Sequence, residues 1–532
     1  MAGVVACAVG AAALAGGSAE NGFDPGTPED REALFEFLLK STMEWDAFAS
    51  LPNHPYYRAH PKGIDVEAAI KGFREELINA DTAEKMWFAL HKISNARKDT
   101  HLRLTLVDGG IEISEKQQRR LEAPIRFAVD FSDAENPFFF VSDFGEGVNT
   151  RVGDKVLRIN GMDADEYVER RRPYHRYSTN NHYLWRLGYD ISRMVDFVPH
   201  DEFYGDSLRL RLQRADGRAY NLDLPYQRRG SVEWRGYAER RYPGFSPVEG
   251  MADFETYSLY MPDDRSLPVV LLQWHGFRAD LPEAMDSLME YAEEHGLLDH
   301  HVIVDATRSR GGSRGAYAVQ RLQPRPFRTT FGNLMVSDAS KRWVESRIRS
   351  IRRTGSAAET VDGGNWLLEW LEDDVQKAFD AGMRYTNSVP FKGAHLPKWA
   401  DGIIDPADVH FRGKMTVWLA PWSGSHLDQF ASQVVDNDLA HVMGMSSGGF
   451  SNTWQTTETL RFPTNGRPIV DYQWSLGHSL RPNGEILQYN PAEVHEYIPQ
   501  TRENFLDYHA DLLRRTLDRL GLGVAEVEAS AR

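Results

Sequence analysis

The run Leu267-Pro268-Val269-Val270-Leu271-Leu272 is apolar and rich in β-branched residues, and His301-Val302-Ile303-Val304-Asp305 repeats the pattern. Between them Asp280 is placed to cap a helix, with Pro282 in its first turn. Ala284, Leu288 and Tyr291 would share one face of it, and Gly296 ends it. Strand, helix and strand in that order predict a right-handed βαβ unit over 267–305. Downstream, Val417-Trp418-Leu419-Ala420 and His441-Val442-Met443 are read as two more strands flanking a helix. Residues 317–405 interrupt this sheet with mostly helical, charged sequence, and a helix from Arg502 to Leu520 closes the chain.

Toward the N-terminus the pattern changes. Thr27-Pro28-Glu29-Asp30 reads as a cap, a proline at the first helical position and acids in the first turn. Helical spacing recurs through Ala68–Leu77 and Ala83–Ile93, so residues 24–115 are expected to be a helical region leading into the strand Leu102–Leu106. Residues 116–248 carry strand signals: Phe138–Val141, then Gly153-Asp154-Lys155-Val156-Leu157-Arg158-Ile159-Asn160-Gly161, then alternating leucines on both sides of Asp216-Gly217. This order resembles a PDZ domain, with Tyr174–Gly205 as an insertion. The fold class expected is therefore α/β multidomain, with residues 249–532 as the α/β core.

At 532 residues the chain is long enough for two or three domains. Its formal net charge of −16 argues against a nucleic-acid binder. Met1–Ala19 contains no charged side chain and ends in Gly17-Ser18-Ala19, which predicts a signal peptide and a periplasmic or secreted location. The same stretch also fits a membrane anchor or, around Cys7, a lipidation signal. Cys7 is the one cysteine, so a chain cut after Ala19 has no thiol chemistry. No later stretch has the roughly 18 apolar residues of a membrane helix.

Two loops carry candidate chemistry. Asp305-Ala306-Thr307-Arg308-Ser309-Arg310-Gly311-Gly312-Ser313 follows a strand, and its glycine pair lets backbone N–H groups face a ligand or an oxyanion without a Cβ in the way. Trp422-Ser423-Gly424-Ser425-His426-Leu427-Asp428 follows the strand 417–420 and opens a helix. A serine there is either a nucleophile at the edge of the sheet or simply the helix cap. Neither loop has phosphate-loop spacing, no paired metal-ligand spacing occurs, and no cofactor is expected. The six basic residues of Lys341–Arg353, with Trp343, Ile348 and Ile351 at helical spacing, read as a solvated helix face.

The order of these pieces resembles the C-terminal-processing (tail-specific) serine peptidases. Asp305 to Gly312 stands in the place of their D-x-R-x-N-x-G-G and shares its Asp and its two Gly, Asp436-Asn437 is their DN, and Gly444 to Gly449 their G-x-x-x-x-G. Ser425-His426-Leu427-Asp428-Gln429-Phe430 is similar to the S-x-x-D-x-F of the branch that includes a secreted chlamydial protease and the tricorn core. That resemblance covers most of 85–500 and implies a crotonase-like serine peptidase core acting on polypeptides. It implies Ser425 as nucleophile, with oxyanion donors from the backbone of His426 and of Gly311 or Gly312. The lysine many members use falls on Phe450, whereas the histidine of this branch falls on His101 in Asp99-Thr100-His101-Leu102. The glutamate that would orient that histidine falls on Gln488, with Glu485 three residues earlier as the alternative.

Two other readings remain. Gly444-Met445-Ser446-Ser447-Gly448 matches G-x-S-x-G, which predicts an esterase with Ser446 as nucleophile and Asp471 with His478, or Asp507 with His509, as partners. Gln488 and the missing lysine fit a catalytically silent peptide-binding member of the same family.

Overall fold

The computed structural model describes residues 22–49, 64–237, 239–249, 254–354, 366–390, 401–451 and 454–523. The proposed signal segment, Cys7 included, lies outside them.

A seven-stranded sheet organises the C-terminal half, in the order Phe245–Pro247, Tyr257–Pro262, Val269–Trp274, His301–Asp305, Met415–Leu419, Ala440–Gly444, Glu496–Tyr497. The last five are parallel, with Leu271 opposite Ile303 and Val304 opposite Val417. Parallel strands are covered on both faces, which is why these segments read as unbroken apolar runs. Val270, Leu272, Val302, Val304, Val417, Leu419 and Val442 pack with the helices Leu281–Glu294, Gly315–Leu322 and His426–Asp436. Val269, Leu271, Ile303, Trp418 and Met443 point the other way, onto the closing helix. That helix spans Tyr508–Leu520, shorter than expected, because 501–507 form turns that tie the segment to the rest of the chain. Trp418 Nε1 donates to Thr516 Oγ1 at 3.0 Å and fixes it against the sheet.

Residues 121–228 build a six-stranded antiparallel sheet around Ile125–Asp130, Phe138–Phe144, Lys155–Ile159, Ser207–Gln213 and Ala219–Pro225. Asn160 and Gly161 both take positive φ, as a two-residue turn back into Met162–Asp163 demands. The aromatic stretch after Tyr174 contains the helix Asn180–Asp190, whose Tyr183, Leu184 and Leu187 are part of this unit's core.

The helices Pro28–Trp45, Val66–Gly72, Arg74–Ile78 and Ala83–Asn95 share one core with distant segments. Val344 and Ile351 of the helix Asp338–Thr354 join it, as do Leu460, Val470 and Trp474 of the hairpin Gln455–Arg461/Pro468–Ser475. The strand after His101, limited to Leu104–Thr105, pairs antiparallel with that hairpin. This pairing carries His101 from the N-terminal region to the C-terminal edge of the parallel sheet.

Candidate active site

The site grows from the ends of two adjacent parallel strands. After His301–Asp305 the chain turns on Asp305, whose Oδ1 accepts from Thr307 N at 3.0 Å and from Thr307 Oγ1 at 2.6 Å. Burial works to raise the Asp305 pKa, but Arg240, His509 and the hydrogen bonds from Thr307 and Tyr242 hold it at about 2. The carboxylate is therefore charged and anchors the loop. Beyond it Arg310–Gly312 runs parallel to Gly276–Phe277. Gly311 lies against Ser425: a Cβ there would sit 2.5 Å from Ser425 Cβ and 2.7 Å from its Oγ. At Gly312 a Cβ would meet Phe277 O at 1.6 Å, so both glycines answer close approach.

After Met415–Leu419 the chain reaches Ser425 at the head of the helix His426–Asp436. Ser425 has φ 62° and ψ −123°, a conformation that costs an L-residue about 1–3 kcal/mol. It is held by Ser425 N donating to Phe450 O at 2.7 Å. Asp428, one turn on and fully buried, accepts from Ser447 Oγ at 2.5 Å, Gly449 N at 3.1 Å and Phe450 N at 2.8 Å. Burial pushes its pKa up to about 6 against those hydrogen bonds. Ser425 is positioned as a cap but its side chain caps nothing. Its Oγ instead lies 3.0 Å from His101 Nε2, across 324 positions of sequence.

His101 is four-fifths enclosed, with its ring edge-to-face on Phe450 at 5.4 Å. Phe450 in turn stacks on His182 at 4.5 Å. The Phe450 ring thus forms a wall beside His101. Burial, then Arg176 and Arg103, lower the His101 pKa to about 4, so the imidazole is neutral and able to accept a proton near neutrality.

With Nε2 accepting from Ser425, Nδ1 carries the ring proton, and that buried atom has no hydrogen-bond partner among the described residues. Neither Gln488 nor Glu485 fills the place foreseen for it. Gln488 Oε1 accepts from Ser451 N at 2.9 Å and its Nε2 donates to Ser178 Oγ at 2.9 Å. Ser178 Oγ also accepts from Thr100 N at 3.3 Å, so Gln488 supports the backbone beside His101 rather than its ring. Glu485 is exposed and accepts from Asn490 Nδ2 at 3.0 Å. The carboxylate near the ring is Asp99, which the sequence reading passed over: its Oδ1 is 3.8 Å from Nδ1 and accepts from His101 N at 2.9 Å. Its Oδ2 is also buried without a partner, and burial pushes its pKa up to about 7. An Asx-turn signal, aspartate two residues before the histidine, was present in Asp99-Thr100-His101.

His426 has two parts to play. Its backbone N–H is the first of the helix and has no acceptor within it. Its side chain, fully buried and driven down to about 3 by burial, is neutral and accepts from Gly315 N at 2.6 Å. This bond ties the helix His426–Asp436 to the helix that follows Gly312. Replacing His426 by leucine strands the Gly315 N–H and should cost about 1–3 kcal/mol, read as a lower midpoint in chemical denaturation.

Ser446 does not sit on an elbow. No helix follows it, and its neighbours Ser447 and Gly449 are held by Asp428. The glycines of that motif fit around Phe450: a Cβ at Gly448 would lie 2.5 Å from its ring. Of the esterase partners, His478 Nε2 lies 3.1 Å from Ala47 O and Asp471 accepts from Thr459 at 2.7 Å. His509 faces Thr307 at 3.0 Å. No described residue joins any of these to Ser446.

No protein-family model matches the chain, and no curated protein matches it. Solved structures do. Mature CPAF complexed with lactacystin superposes at a TM-score of 0.65 with 16% identity, covering 93% of this chain and 98% of that one. Mature CPAF alone gives 0.64 and 16%, over 93% and 97%. A serine-to-alanine mutant of CPAF gives 0.63 and 13%, over 94% and 99%. The likeness spans the N-terminal helices, the antiparallel unit and the parallel sheet together. At the level of fold it bears out the resemblance carried by the order of the motifs.

Proposed function

We propose that this chain is a serine endopeptidase of the C-terminal-processing family, cutting extended polypeptides through an acyl-enzyme on Ser425. The observation that carries the reading is the 3.0 Å contact between Ser425 Oγ and His101 Nε2. It supports an active enzyme over a silent binding protein, because a silent site has no need to hold serine in a strained φ against a neutral buried imidazole.

In this mechanism His101 Nε2 takes the proton of Ser425 Oγ as the oxygen attacks the scissile carbonyl carbon. The tetrahedral oxyanion rests on the N–H of His426 and on that of Gly311 or Gly312. His101 then returns the proton to the leaving amine, and water repeats the steps in reverse to release the acid. Asp99 is the positioning residue that receives the Nδ1 proton's hydrogen bond, closing the 3.8 Å gap as the ring becomes charged. The antiparallel unit is read as a PDZ-like module beside which the substrate lies extended. Export of the chain is inferred from Met1–Ala19, and no helix among the described residues is long and apolar enough to cross a membrane.

The test is digestion of reduced, alkylated casein by the full chain, with the new termini identified by mass spectrometry. Internal cleavage that disappears in Ser425→Ala is expected. Absence of cleavage, or cleavage unchanged in that variant, overturns the proposal.

Asp99 gives a separate expectation. A carboxyl group titrating near 7 becomes a hydrogen-bond acceptor as it loses its proton, so kcat rises with pH through about 7. Asp99→Asn should remove that limb, leave the one near 4 set by His101, and lower kcat by up to about 10⁴-fold. An unchanged pH profile in this variant would show that Asp99 does not act on the base.

A further inference from the structure

Along the segment that follows His101 lies a cavity of about 200 Å³. Its walls come from the helix Ala83–Asn95, the segment 103–106, the stretch 174–176, and the helix Asn180–Asp190 with the residues after it. Three guanidinium groups from three of these segments line it: Arg103, Arg176 and Arg186. In a chain of formal net charge −16, such a concentration of one sign runs against the overall balance. Asp196 is the one acid on the wall.

Several enclosed arginines elsewhere are matched with carboxylates, although fully buried Arg171 is held by Tyr167, Tyr204 and His175 instead. Arg97 lies 3.1 Å from Asp46, Arg240 lies 3.5 Å from Asp305, and Arg481 is paired with Asp436 at 2.5 Å. Among the described residues no carboxylate comes within 4.0 Å of Arg103, Arg176 or Arg186. Arg176 Nη1 donates to Thr100 O at 3.1 Å, which satisfies one donor and no charge. The imidazoles on the wall offer no counter-charge either. Burial, then Arg176, takes His91 down to about 3, and burial followed by Arg171, Arg186 and Arg176 takes His175 well below its usual value. Arg176 is itself lowered to about 9, by burial first and then by Arg186 and Arg103. Asp99 and Asp190 act on Arg176 from beyond ion-pair contact, and an anion seated between half-buried Arg176 and Arg186 and exposed Arg103 would meet them directly. Arg103 is two residues past His101, and Arg176 holds the carbonyl of Thr100, so an occupant would sit beside the reacting groups.

We infer that this cavity is a substrate subsite for an aspartate or glutamate side chain of the polypeptide being cut. The inference rests on the peptidase reading for the word substrate, but its test does not need turnover. Full-chain Ser425→Ala is immobilised and presented with four random dodecapeptide pools. Two contain Asp and Glu, two carry Asn and Gln in their place, and each kind is made with a free or an amidated C-terminus. Retained peptides are quantified by mass spectrometry. A carboxylate held by charge-assisted hydrogen bonds should be favoured by about ten-fold or more over its neutral counterpart. Loss of that preference on replacing Asp and Glu is expected, and a preference lost only on amidation overturns the inference. The preference should vanish in Arg186→Gln and persist in Arg186→Lys. Arg103→Gln, at the exposed mouth, should weaken it without touching the fold. Equal retention of all four pools, no retention of any, or a preference that survives both glutamine variants overturns the inference. Because binding is read without cleavage, a failure of the peptidase reading shows separately, in the casein digestion.

Discussion

Ser425→Ala and His101→Ala should each lower kcat by about 10⁶-fold, and the double variant should be no slower than either single one. The reasoning is that the pair acts as a unit. Without His101 the hydroxyl at Ser425 keeps its ordinary acidity and is a poor nucleophile; without Ser425 the imidazole has no proton to take. The 3.0 Å separation leaves no room for a bridging water, so the coupling is direct. Neither side chain contributes to a core cluster, and His101 is one-fifth exposed, so thermal midpoints should move little. Two independent losses that multiply would contradict a shared role.

Gly311→Ala should cost at least about 10²–10³ in kcat while leaving the fold intact. Gly311 has no positive φ, so alanine introduces no backbone strain and the effect is one of space. The new methyl would meet Ser425 Cβ at 2.5 Å, Oγ at 2.7 Å and Gly424 O at 3.3 Å. Ser425 has nowhere to yield. Its N–H is committed to Phe450 O, Phe450 N is committed to Asp428, and a Cβ at the adjacent Gly424 would itself stand 2.2 Å from the Phe450 ring. The loop bearing Gly311 must therefore move, taking its N–H away from the position of the oxyanion. Circular dichroism unchanged with kcat lowered is the expected pair of results. Full activity in Gly311→Ala would remove this loop from the mechanism.

The parallel sheet was legible because each strand is buried on both faces and reads as a plain apolar run, as in His301–Asp305 and Met415–Leu419. Ser425 was legible only as one of two things, cap or nucleophile, since both occupy the same place in a strand–helix turn. The motif order favoured the second reading, and a φ of 62° with an unused cap supports it. Gly311 could be singled out but not explained, because the collision it avoids comes from Ser425, at the head of a helix more than a hundred residues on. The group beside the base was misplaced. Tyr489, at φ 62°, sets the turn that leaves Gln488 facing Ser178 and Ser451, and no spacing pattern reveals such a local reversal. Asp99 was overlooked because the expected partner was sought near residue 488, not two residues from the histidine. The shared core of the N-terminal helices with Val344, Ile351 and Trp474 was equally hidden, since periodicity identifies a buried face but not what covers it.

The central claim is that Ser425, activated by His101, is the nucleophile. A fluorophosphonate forms a stable adduct only with an activated serine, and peptide mapping by mass spectrometry locates it. The account predicts a single adduct on Ser425 in the full chain, absent in Ser425→Ala and strongly slowed in His101→Ala. An adduct on Ser446, or labelling at Ser425 that proceeds equally fast without His101, would contradict it.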